Sequence, residues 1–138
     1  HRFVGMMTNQ HPGPLDPGRP DFGGSGMYGK RVHAACLCFA RKTGRSWWSE
    51  ATAQRVAVNF DEGAVLKRRQ VPILPDDDVN ALAARMLPIE HEVQIEVLQN
   101  FANGAVKELT RGEPLVRDDE IAILEQCKQQ AIKSYPKR

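Results

Sequence analysis

The chain has 138 residues, of which 41% are hydrophobic and 26% are charged, with a formal net charge of +2 at neutral pH. This length suffices for one domain with one core, and the composition is ordinary for a globular protein. The uncharged apolar runs are far shorter than a bilayer span requires, so no membrane partner is expected. A net charge this small does not demand a nucleic-acid partner either.

The three cysteines favour a reducing environment. Their odd number is not typical of a disulfide framework, and the spacing of Cys36 and Cys38 suits neither a redox pair nor a zinc knuckle. We therefore expect a cytoplasmic protein without structural disulfides and without a metal. The chain starts at His1, inside an expected strand, which suggests a fragment or a processed product.

The hydrophobic pattern predicts the element order β-α-β-β-α-(β)-α, which is an α/β class of fold. A Pro- and Gly-rich loop separates the first strand from the first helix, and a tight turn with Asp61 at its tip joins the second and third strands. In chain order the predicted elements are strand 2–7, helix 30–42, strands 51–58 and 64–74, helix 79–101, extended pieces within 105–116 and helix 118–135.

The long helix at 79–101 carries both start and stop signals and one interruption. Three aspartates at 76–78 offer an N-cap and an acidic first turn, and Asn103-Gly104 is a typical stop. Pro88 is expected to kink or split the helix, because proline removes a backbone donor and clashes with the preceding turn.

Three motif-like patterns are better explained by packing. The segment 24–29 fits G-x-G-x-x-G, but a loop precedes it instead of a strand, so its glycines are expected to turn the backbone into the helix. His33 and Cys36 lie one helical turn apart without a further ligand cluster nearby, which favours a packed histidine and a buried thiol. Trp47 and Trp48 beside basic residues resemble an RNA-binding patch, which the low net charge does not support.

The stretch TNQHPGPLDP at 8–17 brings an amide, Asn9, and an imidazole, His11, to the end of a strand before a rigid turn. If that strand ran parallel to the strand at 51–58, both carboxyl ends and Asp61 would meet at one sheet edge, where open α/β sheets bind ligands. Such a trio suits acyl or formyl transfer to an amine. Asparagine and protonated histidine stabilise an oxyanion, and a carboxylate accepts the proton of the amine. The alternative is three polar turn residues without a catalytic role.

Four segments, in the same order, resemble the folate-dependent formyltransferases, in particular the phosphoribosylglycinamide formyltransferases. They are NQHPGPL, FGGSGMYGKRVHAA, QRVAVNFDEGAVL and VPILPDDDVNALAARMLPIEHEVQIEVLQNFANG. The similarity runs from about residue 4 to 104 and lacks the family's first βαβ half. The resemblance implies the C-terminal half of a Rossmann-like formyltransferase fold, a mixed sheet flanked by helices. Residues 1–104 would form that half, and 105–138 would add a short extended segment and a C-terminal helix.

The resemblance also implies a function. It is the transfer of a formyl group from 10-formyltetrahydrofolate to the amine of glycinamide ribonucleotide in de novo purine biosynthesis, without a metal. The implied partners are that ribonucleotide and the N-terminal half of the domain or another chain of the same protein. The implied site residues are Asn9, His11 and Asp61 as catalytic residues, Glu90 at the ribose hydroxyls, and the backbone of Val58, Asn59 and Phe60 at the folate.

Two departures from the family leave alternatives open. Gln54 stands where the family commonly has histidine, and Ala64 stands where proline is usual. One alternative is a related formyltransferase that acts on methionyl-tRNA or an amino sugar, which predicts a further C-terminal domain. The other is a non-catalytic interaction module with a formyltransferase-like fold, which Gln54 and the missing half favour.

Overall fold

The computed structural model describes residues 8–56 and 63–136. Its elements follow the predicted order. The extended segment expected within 105–116 forms a single bridge, between Leu109 and Val65. The predicted strand at 2–7 and the turn at Asp61 lie outside the described residues. In chain order the elements are β1 (Thr8–His11), α1 (Lys30–Thr43), β2 (Trp48–Arg55), β3 (Val65–Pro72), α2 (Val79–Ala102), a 3-10 turn (Asp118–Glu120) and α3 (Ile121–Ser134).

The three described strands form an antiparallel sheet in the order β1-β2-β3. The pairing of β2 and β3 is confirmed. The strand that we expected to run parallel to β2 lies at 2–7, outside the described residues, but β1, which follows it directly, is antiparallel to β2. Thr8 pairs with Arg55 and His11 with Thr52, so β1 and β2 run in opposite directions. Alternation of apolar residues indicates which face of a strand is buried, but it carries no information on the direction of pairing. The parallel part of the expected mixed sheet is therefore not among the described strands.

One apolar core joins the sheet and the three helices. Helix α2 packs on β2 and β3, and α1 packs on α2 and α3. The rings of Phe22 and Phe39 pack edge to face at a centroid distance of 5.4 Å. Leu115, Val116 and Leu124 lie in the same core cluster, so the described part of the segment after residue 104 shares the core of the preceding residues.

Helix α2 continues through Pro88 without a break, so the expected split is wrong. Proline removes only one backbone hydrogen bond here, while Met86 and Val93 on either side of it are fully buried. Burial of both ends of the helix on one core outweighs that loss. The N-cap is confirmed, because the Asp78 carboxylate accepts from the Ala81 amide at 2.7 Å. Among the helices in the described ranges, none has the length and apolarity needed to cross a bilayer.

A disulfide joins Cys38 of α1 to Cys127 of α3, whose Cα atoms are 5.6 Å apart. This corrects the expectation of a chain without structural disulfides. The two cysteines are 89 residues apart, so only the packing of α1 against α3 reveals the pair. Cys36 is free and buried, and burial raises the pKa of its thiol to about 12.

We expect the number of reactive thiols to follow this pairing. In the native, unreduced protein no thiol should react quickly, because Cys36 is buried and the other two are bonded. After denaturation without a reductant, one thiol per chain should react, and after reduction all three cysteines should. A chromogenic disulfide reagent gives these counts. Cys36→Ser serves as the control and should leave the denatured, unreduced chain without a signal. Three reactive thiols in the denatured, unreduced wild type would contradict the disulfide.

Candidate active site

His11 is anchored at the end of β1 by a buried hydrogen bond. Its Nε2 lies 3.0 Å from the carbonyl oxygen of Phe22, and the residue is only 3% exposed. Because a carbonyl can only accept, Nε2 carries a proton and donates it, which fixes the orientation of the ring. The chain folds this way locally because the prolines and Gly13 after His11 turn it back over α1 and bring Phe22 beside the imidazole.

Gly13 allows a close approach between this turn and α1. A Cβ at position 13 would overlap Cγ1 of Val32 and would lie 3.7 Å from Nε2 of His11. Only glycine therefore lets the turn rest directly on the helix. On the opposite side, the Thr52 hydroxyl donates to the Gly13 carbonyl at 2.9 Å, so the turn is held between β2 and α1.

Asn9 and His11 line one cavity together with the glycine-rich loop at 24–29. The cavity has a volume of about 550 Å³, and Gln10 and Arg31 also contribute to its wall. This volume lies in the range typical of small-molecule and cofactor sites. The structure thus brings together two of the three residues that the sequence predicts as catalytic.

The loop at 24–29 takes its shape from positive φ angles and from Arg31. Gly24, Gly26 and Gly29 have φ values of 98°, 81° and 54°, which favour glycine. The buried guanidinium of Arg31 donates to the Gly26 carbonyl at 2.9 Å and to the Tyr135 carbonyl at 2.7 Å. The expectation that the glycines turn the backbone into α1 is confirmed.

His33 and Cys36 are both buried on α1, as predicted. Nδ1 of His33 has no hydrogen-bond partner among the described residues. Burial lowers the pKa of His33 to about 4, and the like charge of His11 acts in the same direction. Within residues 8–56 and 63–136, no cluster of histidine, cysteine or carboxylate side chains has the arrangement of a metal site.

We expect His33 to make the protein less stable in acid. The unfolded chain protonates this imidazole near pH 6.5, whereas the folded chain keeps it neutral down to about pH 4. Because the unfolded state then binds more protons, the free energy of unfolding should fall between these two values, by about 3 kcal/mol at pH 4. Urea titrations of the wild type and of His33→Gln at pH 7 and pH 4 measure this difference. His91→Gln, at an exposed position, is the control and should leave the pH dependence unchanged. If the free energy of unfolding changed equally between pH 7 and pH 4 in the wild type and in His33→Gln, the lowered pKa of His33 would be refuted.

A buried ion pair supports the turn from the other side and is not predictable from local sequence. Arg111 bonds the carboxylate of Glu50, and its Nε donates to the Leu15 carbonyl at 3.1 Å. Asp16 also accepts the Leu115 amide at 3.0 Å. The segment after α2 therefore fastens the loop that follows His11. The partners are 61 to 99 residues apart, so no spacing pattern marks them.

The other predicted site residues are not among the described residues that line this cavity. Asp61 and the folate-side residues Val58, Asn59 and Phe60 lie outside the described residues. Glu90 lies on α2 and is half-buried, but it is not one of the residues that line the cavity. Burial raises the pKa of its carboxyl group, and the neighbouring His91 opposes that shift.

Comparison with known proteins shows what the chain is similar to. No protein-family model matches it. It is 34% identical over 118 residues to the chloroplastic phosphoribosylglycinamide formyltransferase of Vigna unguiculata, covering 86% of this chain and 35% of that protein. The corresponding Arabidopsis thaliana protein is 31% identical over 116 residues, covering 84% of this chain and 37% of that protein. The chain is a relative of the phosphoribosylglycinamide formyltransferases and corresponds to part of their length.

Solved structures agree with this relationship and confirm the Rossmann-like formyltransferase fold. Glycinamide ribonucleotide transformylase 1 from Symbiobacterium toebii has a TM-score of 0.56 and 28% identity, covering 74% of this chain and 45% of that chain. The N-formyltransferase from Helicobacter canadensis, in complex with folinic acid and dTDP-3-aminofucose, is 12% identical. Its TM-score is 0.60, with 91% of this chain and 46% of that chain covered, and this likeness concerns the fold alone. The chain thus spans about a third of the curated plant relatives and just under half of these structures.

Proposed function

We propose that this chain carries the formyl-transfer site of a phosphoribosylglycinamide formyltransferase. The reaction moves a formyl group from 10-formyltetrahydrofolate to the amine of glycinamide ribonucleotide in de novo purine biosynthesis. The observation that carries the proposal is the pair Asn9 and His11 in one cavity, in a chain that is related to proteins named for this activity. The folate donor draws support from the related fold that binds folinic acid.

The mechanism starts with attack of the substrate amine on the formyl carbon. The tetrahedral intermediate carries an oxyanion, which the amide of Asn9 and the protonated imidazole of His11 stabilise by hydrogen bonds. Asp61 keeps His11 charged and takes the amine proton through water. Collapse breaks the bond between the formyl carbon and N10 of the folate, and N10 leaves with a proton as tetrahydrofolate. The bond from Nε2 of His11 to the Phe22 carbonyl fixes the orientation of the imidazole, and this supports the proposed role.

Two further groups of residues belong to the proposal. Glu90 contacts the ribose hydroxyls of the ribonucleotide, and the backbone at Val58, Asn59 and Phe60 contacts the folate. The phosphate end of the ribonucleotide is proposed to bind the glycine-rich loop of the family's N-terminal half.

We propose that the N-terminal half of the domain, or another chain of the same protein, completes the site. Two features of the described residues support this partner. Among the described strands, β1 is bonded along one edge alone, to β2. Leu87, Ile95 and Leu98 lie at helical spacing on α2 and are 54%, 56% and 52% exposed. An apolar stripe of this kind marks a surface that another part of a protein covers.

A formyl-transfer assay tests the proposed function. This chain is mixed with 10-formyltetrahydrofolate and glycinamide ribonucleotide, alone and with the N-terminal half of a plant relative, and release of tetrahydrofolate is followed. We expect transfer when both halves are present. Methionyl-tRNA and a nucleotide-linked amino sugar are run as alternative acceptors, the second because the Helicobacter canadensis N-formyltransferase shares this fold. Transfer to methionyl-tRNA or to the amino sugar, without transfer to glycinamide ribonucleotide, would replace the proposed acceptor. Transfer to none of the three acceptors would favour a non-catalytic interaction module.

The proposed compartment is the cytoplasm, but the cysteine count no longer supports it, because Cys38 and Cys127 form a disulfide. The chloroplast is the alternative, because the plant relatives are named as chloroplastic proteins. A fluorescent fusion of the natural gene product distinguishes the two compartments.

A further inference from the structure

We propose that Thr52 and Gln54 of β2 are positioning residues that hold Gly13 and Gly63, each two residues after a proposed catalytic residue, at a fixed separation. This inference rests on the proposed function. Neither residue touches the reacting atoms in the mechanism above. Each donates to the carbonyl of a glycine two residues after a proposed catalytic residue in the sequence, and both belong to one short strand.

The register of the sheet brings these residues onto the face that carries the site. Residues two apart on a strand share a face, so Thr52 and Gln54 lie on the same side of β2. Across β1, His11 pairs with Thr52, and Asn9 pairs with Gln54. Cβ atoms of directly opposite residues are about 4.5–5.5 Å apart. Both residues of β2 therefore lie directly beside the proposed oxyanion pair.

The two hydrogen bonds are matched in geometry. The Thr52 hydroxyl donates to the carbonyl of Gly13 at 2.9 Å, and Nε2 of Gln54 donates to the carbonyl of Gly63 at 3.1 Å. Gly13 follows His11 by two residues, and Gly63 follows Asp61 by two residues. One strand thus fastens both chain segments immediately after their functional side chains.

Packing alone does not explain a glutamine at position 54. The residue is 1% exposed, and its Oε1 is buried without a hydrogen-bond partner among the described residues. An apolar side chain of the same size could not supply the hydrogen bond that Nε2 donates to the Gly63 carbonyl. The register between β2 and β3 also shifts between Ala53 and Gln54. Such irregularities redirect side chains and are frequent next to active sites.

The test uses isosteric variants in the form of the protein that gives formyl transfer. Gln54→Met and Thr52→Val each remove one donor, and we expect each to lower kcat about tenfold or more while both KM values change less than about threefold. Gln54→His restores a donor and should recover most of kcat. The matched control is Ser49→Ala, because Ser49 is equally buried on β2 but bonds neither turn. A folded Gln54→Met with wild-type kcat would overturn the proposal.

A double-mutant cycle separates positioning from general stability. If Gln54 acts through the segment that bears Asp61, Gln54→Met should have no further effect on kcat in an Asp61→Asn background. An equal further loss there would show a merely structural role and overturn the proposal.

A readout without activity distinguishes this inference from the proposed function. In the carbon-13 spectrum, Gln54→Met should shift the Gly63 carbonyl and the Asp61 carboxyl, and Thr52→Val should shift the Gly13 carbonyl and the His11 ring. Ser49→Ala should shift none of them. If the wild type transfers no formyl group, the proposed function fails, while these shifts still decide whether the two residues position the segments. Unshifted Asp61 and His11 signals would overturn the positioning role.

Discussion

Replacing Asp61 by asparagine should lower the turnover of formyl transfer by about 10²- to 10⁴-fold, the usual contribution of a positioned acid–base group. Asparagine has nearly the same shape as aspartate, but it neither accepts a proton at neutral pH nor stabilises a charged imidazole at His11. The loss should appear in kcat with little change in KM, because the carboxylate acts on the intermediate and not on the bound substrates. Steady-state kinetics with both substrates varied measures the two constants.

The control for this experiment is Asp76→Asn, which removes the same charge at an exposed position before α2. It should leave both turnover and melting temperature unchanged. The melting temperature of Asp61→Asn should also stay within a few degrees of the wild type, so that a loss of activity does not reflect unfolding. Unchanged turnover in Asp61→Asn would remove this residue from the mechanism.

The elements of the fold follow from local patterns, but their mutual arrangement does not. The helices at 30–42 and 79–101 were predicted to within one residue of α1 and α2, because apolar spacing and stop signals are local. The antiparallel pairing of β1 with β2 and the bond between Cys38 and Cys127 depend on contacts between distant segments. Pro88 is a further example. Its local sequence predicts a break in the helix, but the buried residues on both sides of it keep the helix continuous.

The candidate site divides in the same way. Asn9 and His11 are recognisable because a strand and a proline-rich turn follow one another within ten residues. In the sequence, Gln54 stands out only as a departure from the family. Its bond to Gly63 depends on the pairing of β2 with β3. Arg111 has no local signal, because its function depends on Glu50 and on the Leu15 carbonyl, both far away in sequence.

Replacing Arg111 by methionine should reduce the free energy of unfolding by about 3–5 kcal/mol, the usual effect of removing one partner from a buried ion pair. The side chains of Glu50 and Arg111 are 3% and 13% exposed, so water does not replace the lost guanidinium. The Glu50 carboxylate would remain buried without its counter-charge, and the Leu15 carbonyl would lose a donor. Urea denaturation at neutral pH measures the change.

Arg69→Met is the matched control, because Arg69 forms its ion pairs with Glu92 and Glu96 on the surface. Its cost should stay at or below about 1 kcal/mol, since solvent screens exposed charges. Adding Glu50→Gln to Arg111→Met should recover part of the stability, because the stranded charge is then gone. Equal costs at positions 69 and 111 would contradict a buried pair. A larger cost at 111 would show that Arg111, on the segment after α2, stabilises the fold through its bonds to Glu50 and the Leu15 carbonyl.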